Sequence, residues 1–469
     1  MKKNFRSLVI YLLAFQFLSC NKLVDVPLPI DKVSTANIFN TNATATSAVL
    51  GIYSQMMYVF MNLTCSATTI YTGLSSDELL ATDAISTTQK EFADNSISVT
   101  NSDIATLFWA RPYACIYQIN ACINGLTESS TLSPAIKNQL LGESKFARAF
   151  MYFYLINLFG DVPYQTTTDY DINKHLPRTP VMEIKTHILS DLNDAVSLLT
   201  EKYPTTGPVR PNKYTALALL ARYYLYEKKW KEAENITSQI INSNQYSLND
   251  NLNAVFLANS GEAIWQLIPM QSAYKSLEGN NFIPNESSSI PPTYVISKQL
   301  MDAFEKGDKR RSSWTNYITI STDTFYYPFK YKNPNPTPDP SADYYTIFRL
   351  AEQYLIRAES RVEQGNIKGA ADDLNVLRNR ARDRSVTDAL PEIPYSLSSS
   401  EMITAVEQEN RIEFFCEWGH RWFDLIRHNE ADKVLKPLKP GWQLTDILYP
   451  IPLDEILVNT ALNQNPGYN

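Results

Sequence analysis

The hydrophobic residues of this chain cluster most densely between Gly142 and Tyr164, in the stretch GESKFARAFMYFYLINLFGDVPY. From Phe146 to Phe159, apolar and aromatic residues occupy nearly every angle around a helix instead of one stripe. A surface helix shows a single apolar face, so this pattern predicts a helix that is buried on most sides. Glu143 is expected in its first turn, where a carboxylate suits the helix dipole. Gly160 and the proline that follows it in the chain predict the end of the helix.

Apolar residues at spacings of three and four predict further helices on either side. The predicted segments are Thr44–Met57, Ile104–Leu126, Thr179–Leu199 and Ser297–Lys306, and a capping box of Ser398 and Glu401 predicts another start. Residues 64–102 are instead rich in Thr, Ser, Asp and Asn. This composition predicts a structured loop region with few regular elements.

Two segments have the pattern of a helix pair joined by a tight turn. In Asn212–Asn242 the helical pattern is interrupted near Trp230, and in Tyr344–Arg382 a similar pattern is interrupted at Gly365. Small residues stand where the two helices of a pair would touch. Each segment is similar to a tetratricopeptide unit of about 34 residues. Because such pairs cannot bury their hydrophobic faces alone, they stack. The predicted fold is therefore mainly α, a tetratricopeptide-like helical-repeat scaffold.

The segment between these pairs, residues 245–343, changes character. It is rich in proline and aromatic residues and largely lacks a helical period. We interpret it as a long irregular excursion from the scaffold, with turns, short strands and exposed aromatic side chains. Long irregular insertions on rigid scaffolds tend to carry function, so the ligand face is predicted here.

The N-terminus has the features of a secretory signal. Three basic residues within positions 2–6 precede an apolar run, Leu8–Leu18, that is too short to span a bilayer. The following Ser19-Cys20 resembles the end of a bacterial lipobox, in which the cysteine thiol receives the lipid. An ordinary secretory signal with an incidental cysteine is the alternative. The predicted organisation is a lipoprotein signal peptide at 1–19, a lipidated tether at 20–34 and a single α domain at 35–469, with helix pairs at about 142–242 and 344–382.

Composition narrows the classes of function. The 469-residue chain has a net charge of −7 and no basic tract, which disfavours binding to nucleic acid. Cys115 and Cys122 lie two turns apart on a predicted helix, roughly 10 Å, which is too far for a disulfide. Together with Cys65 and Cys416 they are expected to be small buried hydrophobes. The four histidines lack metal-ligand spacing, and the chain lacks the common catalytic and phosphate-binding motifs, so we predict no metal and no cofactor.

Five segments, in order along the chain, resemble the SusD/RagB family, the surface nutrient-binding lipoproteins of Bacteroidetes. They are the lipobox at Cys20, the stretch at 142–164, YTALALLARYYLY at 214–226, NRIEFFCEWGHRWFDLIR at 410–427 and the ending that runs from YPIP to QNPGY at 449–468. The resemblance is weakest at about 64–105 and 270–343, where the family varies and ligand specificity is set.

The resemblance implies a lipid-anchored, surface-exposed protein of the outer membrane that captures a nutrient and is not an enzyme. The nutrient would be an oligosaccharide or polysaccharide, or alternatively a peptide. The resemblance also implies delivery of the nutrient to a SusC-like, TonB-dependent outer-membrane transporter. A glycoside hydrolase and a scaffold that binds only its transporter are the competing hypotheses.

Candidate site residues follow from the chemistry of sugars. A sugar ring has C–H patches that pack on aromatic side chains and hydroxyls that pair with polar groups. The candidates in the two irregular regions are Asp77, Glu78, Trp109, Tyr274, Tyr294, Trp314 and Tyr326. Trp109 stands at helical spacing with Tyr113, which also favours a place in the core. A charged cluster near the C-terminus, formed by Arg411, Glu413, Glu417, Arg421 and Asp424, is expected to form structural ion pairs, with acid–base work in a glycosidase as the alternative.

Overall fold

The computed structural model describes residues 38–57, 61–83, 85–269, 276–285, 289–333 and 342–468. The helices of the N-terminal half are α1 Asn42–Met56, α2 Ala67–Ser75, α3 Thr87–Ala93, α4 Arg111–Glu128, α5 Pro134–Phe159, α6 Tyr170–Asn173, α7 Val181–Leu198, α8 Lys213–Tyr226 and α9 Trp230–Asn242. Those of the C-terminal half are α10 Leu277–Phe282, α11 Lys298–Ala303, α12 Lys309–Trp314, α13 Leu350–Glu363, α14 Ile367–Ala381, α15 Ser399–Glu413, α16 His420–Arg427, α17 Ala431–Leu435 and α18 Leu453–Val458. Helices thus dominate, which confirms the predicted mainly α fold.

Helix α5 is the central element, and its buried half agrees with the prediction. Phe146 and Phe159 are both fully buried, as are most residues between them. The helix nevertheless begins at Pro134, about two turns earlier than predicted, because a proline fits the first helical position. Glu143 therefore lies in the middle of the helix, where its carboxylate accepts hydrogen bonds from the Tyr53 hydroxyl at 2.6 Å and from Arg210. Its predicted role at the helix dipole is wrong.

The two predicted helix pairs are present. The first is α8 and α9, with a capping box of Asn212 and Thr215 at its start, and the second is α13 and α14. Helix α9 packs against α13, so the pairs stack on one another. The second pair begins later than predicted, because Tyr345–Arg349 forms strand β6 instead of a helix.

Residues 64–102 contain more regular structure than their composition indicated. They hold helices α2 and α3 and strand β1, Leu79–Ala81. Every residue of α2 is buried, and its hydroxyls bond to backbone carbonyls: Thr68 donates to the Leu63 oxygen at 2.6 Å and Thr72 to the Thr68 oxygen. Because these side chains satisfy their own polar groups inside the protein, a Thr-rich segment forms a core helix here.

The excursion contains short strands, as predicted. The remaining strands are β2 Ala263–Leu267, β3 Tyr294–Ile296, β4 Thr315–Ile320 and β5 Asp323–Pro328. Among the described residues they form three two-stranded antiparallel sheets, β1 with β3, β2 with β6, and β4 with β5. The β1–β3 pair joins the two irregular regions of the chain.

The remaining predictions for the fold concern the cysteines, membrane-spanning helices and the N-terminal signal. Cys65, Cys115, Cys122 and Cys416 are buried free thiols, as predicted. Within the described ranges, no helix combines the length and the apolar character needed to cross a bilayer. The predicted signal peptide, Cys20 and the tether up to residue 34 lie outside the described residues.

Candidate functional site

A buried ion-pair network fastens the excursion to helix α15. Arg349 donates to Glu262 at 2.9 Å, to Glu413 at 2.6 Å and to Glu417 at 2.9 Å. Arg310 donates to Glu413 at 2.9 Å and also binds its near neighbour Asp308. The network therefore ties residues of the excursion to helix α15 through buried charges.

The predicted charged cluster divides between this network and a second group of ion pairs. Glu413 and Glu417 belong to the network, while Arg411 and Arg421 each donate to Asp77 at 2.7 Å. Asp424 accepts from Arg427 at 2.7 Å. All five residues of the predicted cluster are thus in ion pairs, as the structural interpretation expected.

Asp77 is held in its ionised form. Burial alone would raise the pKa of Asp77, but the hydrogen bond and charge of Arg421, together with the charge of Arg411, lower it below its usual value. Its neighbour Glu78 points away into the core, where both carboxylate oxygens accept from the backbone N–H of Cys416 at 3.2 Å. Burial, with the charge of Asp77 added, raises the pKa of Glu78 to about 8. The two adjacent carboxyl groups therefore sit in opposite protonation states at neutral pH.

A cavity lies beside the paired strands β1 and β3, and we call it the strand-pair cavity. Its volume is about 630 Å³. Its lining mixes polar and apolar side chains, and the polar and charged ones are Ser76, Asp77, Thr82, Asp83, Lys90, Asp94, Ser297, Lys298, Gln299 and Lys439. Leu79, Leu80 and Leu438 add apolar surface. The cavity thus combines residues of both regions that the sequence marked as irregular.

Lys439 gives this cavity an unusual cation. Its ammonium donates to the carbonyl oxygens of Leu74 and Ala93, the latter at 3.1 Å. Burial lowers the pKa of Lys439 to about 7. The charge on this wall of the cavity therefore changes close to neutral pH.

A pair of tyrosines lies on the neighbouring hairpin, β4–β5, which we call the tyrosine hairpin. Tyr317 and Tyr326 are directly opposite each other in the antiparallel register, with ring centroids 5.8 Å apart. Tyr317 is 59% exposed, and Tyr326 is half-buried. Strand β5 lies beside β3, so the hairpin flanks the strand that borders the cavity. Tyr326 was a sequence candidate, whereas Tyr317 was not chosen, because alternation along a hairpin could not be told from the sequence.

The expectation of exposed aromatic side chains is wrong for two other candidates in the excursion. Trp314 is fully buried, donates from Nε1 to the Leu252 carbonyl at 3.0 Å and lies under the Lys330 ammonium, 4.7 Å from its ring centroid. Tyr294 is also buried, and its hydroxyl accepts from Gln89 at 2.8 Å. Tyr274 lies outside the described residues. Ligand contact by these residues stays a prediction.

Trp109 lines a second cavity, which we call the Trp109 cavity. Its volume is about 350 Å³, and it is lined by aromatic residues of α4 and α6 and by residues near the C-terminus. Trp109 itself is almost fully buried and packs edge-to-face on Phe159, as its helical spacing favoured. Tyr117, Tyr170 and Glu455, which also line this cavity, were not predicted, since they come from three segments that no local pattern connects.

The described residues contain no group of three or more His, Cys, Asp or Glu side chains placed to hold a metal ion. The candidate site is therefore built from polar side chains, tyrosines and ion-paired carboxylates. Such a surface suits recognition of a polar, hydroxyl-rich ligand.

Comparison with known proteins agrees with this architecture. The SusD family model matches residues 314–446, and a model described as "Starch-binding associating with outer membrane" matches residues 68–225. The chain is similar to SusD-like protein P2 of Formosa agariphila, at 25% identity across the full length of both chains. It is also similar to the starch-binding protein SusD of Bacteroides thetaiotaomicron, at 25% identity over 73% of this chain and 74% of that protein.

A solved structure shows the same fold. The crystal structure of a SusD superfamily protein from Bacteroides vulgatus superposes with a TM-score of 0.80 at 21% identity, covering 92% of this chain and all of the other. The two family models match separate parts of the chain, residues 68–225 and 314–446, which together make up more than half of it. The chain therefore belongs to the SusD/RagB family.

Proposed function

We propose that this protein is a non-catalytic, lipid-anchored glycan-binding protein of the outer-membrane surface. The observation that carries the proposal is the β1–β3 pairing, which brings both irregular regions together around one polar cavity beside the tyrosine hairpin. The starch-binding relative and the description of the second matching family model support a carbohydrate ligand.

The chemistry of this face suits a glycan chain. Tyr317 offers an exposed ring on which the C–H face of a sugar packs, and Tyr326 extends that platform. The neighbouring cavity offers amide and charged groups such as Gln299 and Lys90, which can exchange hydrogen bonds with sugar hydroxyls. The tilted pair of tyrosine rings and the polar groups of the neighbouring cavity match the two kinds of surface that a sugar presents.

The ion pairs support a binding role over hydrolysis. Glycosidases place two carboxyl groups on either side of the scissile bond, one of which must hold a proton. Glu413 and Glu417 are buried among arginines, and Asp77 is held ionised by two more. These carboxylates are committed to structural pairs, and the protonated Glu78 beside Asp77 is buried against the Cys416 backbone, so none of them is placed for acid–base work.

Delivery to a SusC-like, TonB-dependent transporter is the second part of the proposal. Lipidation at Cys20 would attach the tether at 20–34 to the outer membrane and keep the ligand face close to such a barrel. The change Cys20→Ala is expected to move the protein from the membrane fraction to the soluble fraction of cells. Retention in the membrane fraction would contradict anchoring through this cysteine.

The ligand class can be tested on the purified chain from Asn21 onwards. Native gels containing soluble starch, xyloglucan, pectin or alginate should show retardation of the protein by at least one polysaccharide. Titration with a tryptic digest of casein examines the peptide alternative in parallel. Retardation without any peptide binding supports the glycan proposal, whereas peptide binding without retardation overturns it. If no reducing sugar is released from the retarding polysaccharide, the hydrolase alternative is excluded for that substrate.

A further inference from the structure

We propose that the Trp109 cavity is a second carbohydrate subsite, separate from the strand-pair cavity, and that it takes one sugar ring of a longer chain. This inference rests on the proposed glycan-binding function. At about 350 Å³ the cavity falls within the usual size of small-ligand pockets, at their lower end.

Aromatic side chains line this cavity at graded exposure. Trp109 is only 3% exposed and stacks with Tyr113 at a centroid distance of 5.2 Å. Tyr117 and Tyr170 stand further out, at 50% and 72% exposure. Such large exposed rings lose contact with water when a ligand covers them, which favours binding. The cavity therefore supplies the aromatic platforms that a sugar ring requires.

The polar lining of the cavity includes two half-buried side chains with acceptor oxygens, Glu455 and Asn173. Glu455 is half-buried and accepts a hydrogen bond from Trp109, and burial raises its pKa. Asn173 donates to the Thr167 carbonyl at 2.8 Å, but its Oδ1 atom is buried and has no hydrogen-bond partner within the described part of the chain. A ligand hydroxyl at this wall would supply the missing donor after a small rotation of the Asn173 side chain. A ligand rich in O–H groups can donate to these two acceptors and accept from the tyrosine hydroxyls that also line the cavity.

The charges around the cavity argue against an acidic ligand. Lys174 is the cation that lines it, and its ammonium is already paired with Asp171 at 2.5 Å and lies over the Tyr170 ring. The Lys174 ammonium thus already has an anionic partner within the protein. A neutral sugar satisfies the aromatic rings and the acceptors together.

The test compares binding stoichiometry in isothermal titrations of the purified chain. The probe is a short oligosaccharide made by partial hydrolysis of the polysaccharide that retards the wild-type protein. We expect two molecules bound per wild-type chain and one per Tyr170→Ala chain, with about tenfold weaker retardation of that variant by the intact polysaccharide. Tyr395→Ala is the matched control, because Tyr395 is 56% exposed on a separate part of the surface. It should bind two molecules.

The outcomes separate this inference from the proposed function. One molecule per wild-type chain, or two per Tyr170→Ala chain, overturns the second subsite while the glycan-binding function stands. Binding of casein peptides that Tyr170→Ala abolishes, with polysaccharide binding unchanged, assigns the cavity to a peptide and also overturns the inference. Absence of wild-type retardation by every polysaccharide overturns both.

Discussion

Replacing Glu413 with glutamine tests the buried ion-pair network that joins the excursion to helix α15. The Glu413 carboxylate is fully buried and accepts from Arg349 at 2.6 Å, from Arg310 at 2.9 Å and from Arg380. Glutamine keeps the shape of the side chain but removes the negative charge that faces three guanidinium groups. It also turns an amide N–H₂ towards groups that are themselves donors.

The expected cost is large because the remaining charges stay buried. Removing one partner of a buried ion pair costs roughly 3–5 kcal/mol of the free energy of unfolding. Glu262 and Glu417 still face Arg349, which favours the lower end, so we expect about 3 kcal/mol. An exposed pair provides the matched control. Lys298 and Asp302 are 82% and 61% exposed, and Asp302→Asn is expected to change stability by no more than about 0.5 kcal/mol.

Urea unfolding followed by circular dichroism measures both changes, with the free energy of unfolding extrapolated to water. The pH dependence gives a second readout. Burial would raise the pKa of Glu413, but the charges of Arg380, Arg349 and Arg310 hold it well below its usual value. Its contribution is therefore present above the unfolded pKa of about 4.3 and is lost as the pH falls below it. The gap between wild type and Glu413→Gln should narrow in acid. Equal stabilities of Glu413→Gln and Asp302→Asn at pH 7 would refute the reasoning.

Two further changes probe buried features elsewhere. Burial raises the pKa of Glu278 to about 8, above the unfolded value, so its contribution to stability falls as the pH rises from about 4.3 to 8. Glu278→Gln should therefore have a larger free energy of unfolding than wild type at pH 8. This difference should shrink by about 1.4 kcal/mol for each pH unit towards acid. A difference that does not depend on pH would contradict the reasoning. Gly419 has φ +73°, and a Cβ there would lie 2.6 Å from Thr72 Oγ1, whereas Gly365 has φ +79° and nothing within 4 Å. In urea unfolding, Gly365→Ala should lower the free energy of unfolding by about 1 kcal/mol, and Gly419→Ala should lower it by roughly 1–3 kcal/mol more. Equal losses for the two variants would show that the protein relieves the clash at Gly419.

The scaffold could be predicted from the sequence because its signals are local. Apolar spacing predicted α8, α9, α13 and α14, and the capping box at Ser398 marked the start of α15. The start of α5 was missed, since its first turns at Pro134 carry no strong apolar pattern. Local apolar periodicity thus predicts which segments are helical, but it does not predict where a helix begins or ends if the apolar pattern is weak there.

The site could be predicted only in part, because its geometry is long-range. Leu79 pairs with Ile296 across more than two hundred residues, and no local pattern indicates that contact. Trp314 stands in polar, proline-flanked sequence, yet it is fully buried because Lys330 and the Leu252 carbonyl satisfy its ring and its N–H. The sequence identified the two regions that meet at the candidate site but could not tell which of their aromatic side chains reach the surface.

Binding of Tyr317→Ala to the polysaccharide that retards the wild-type protein tests the central claim most directly. Tyr317 is 59% exposed and Tyr395 is 56% exposed, so Tyr395→Ala removes an equally exposed ring from another part of the surface. Affinity electrophoresis over a range of polysaccharide concentrations gives the dissociation constant of each variant. The account predicts that Tyr317→Ala raises this constant about fivefold to tenfold and that Tyr395→Ala leaves it unchanged. Equal constants for wild type and both variants would contradict a ligand face at the tyrosine hairpin.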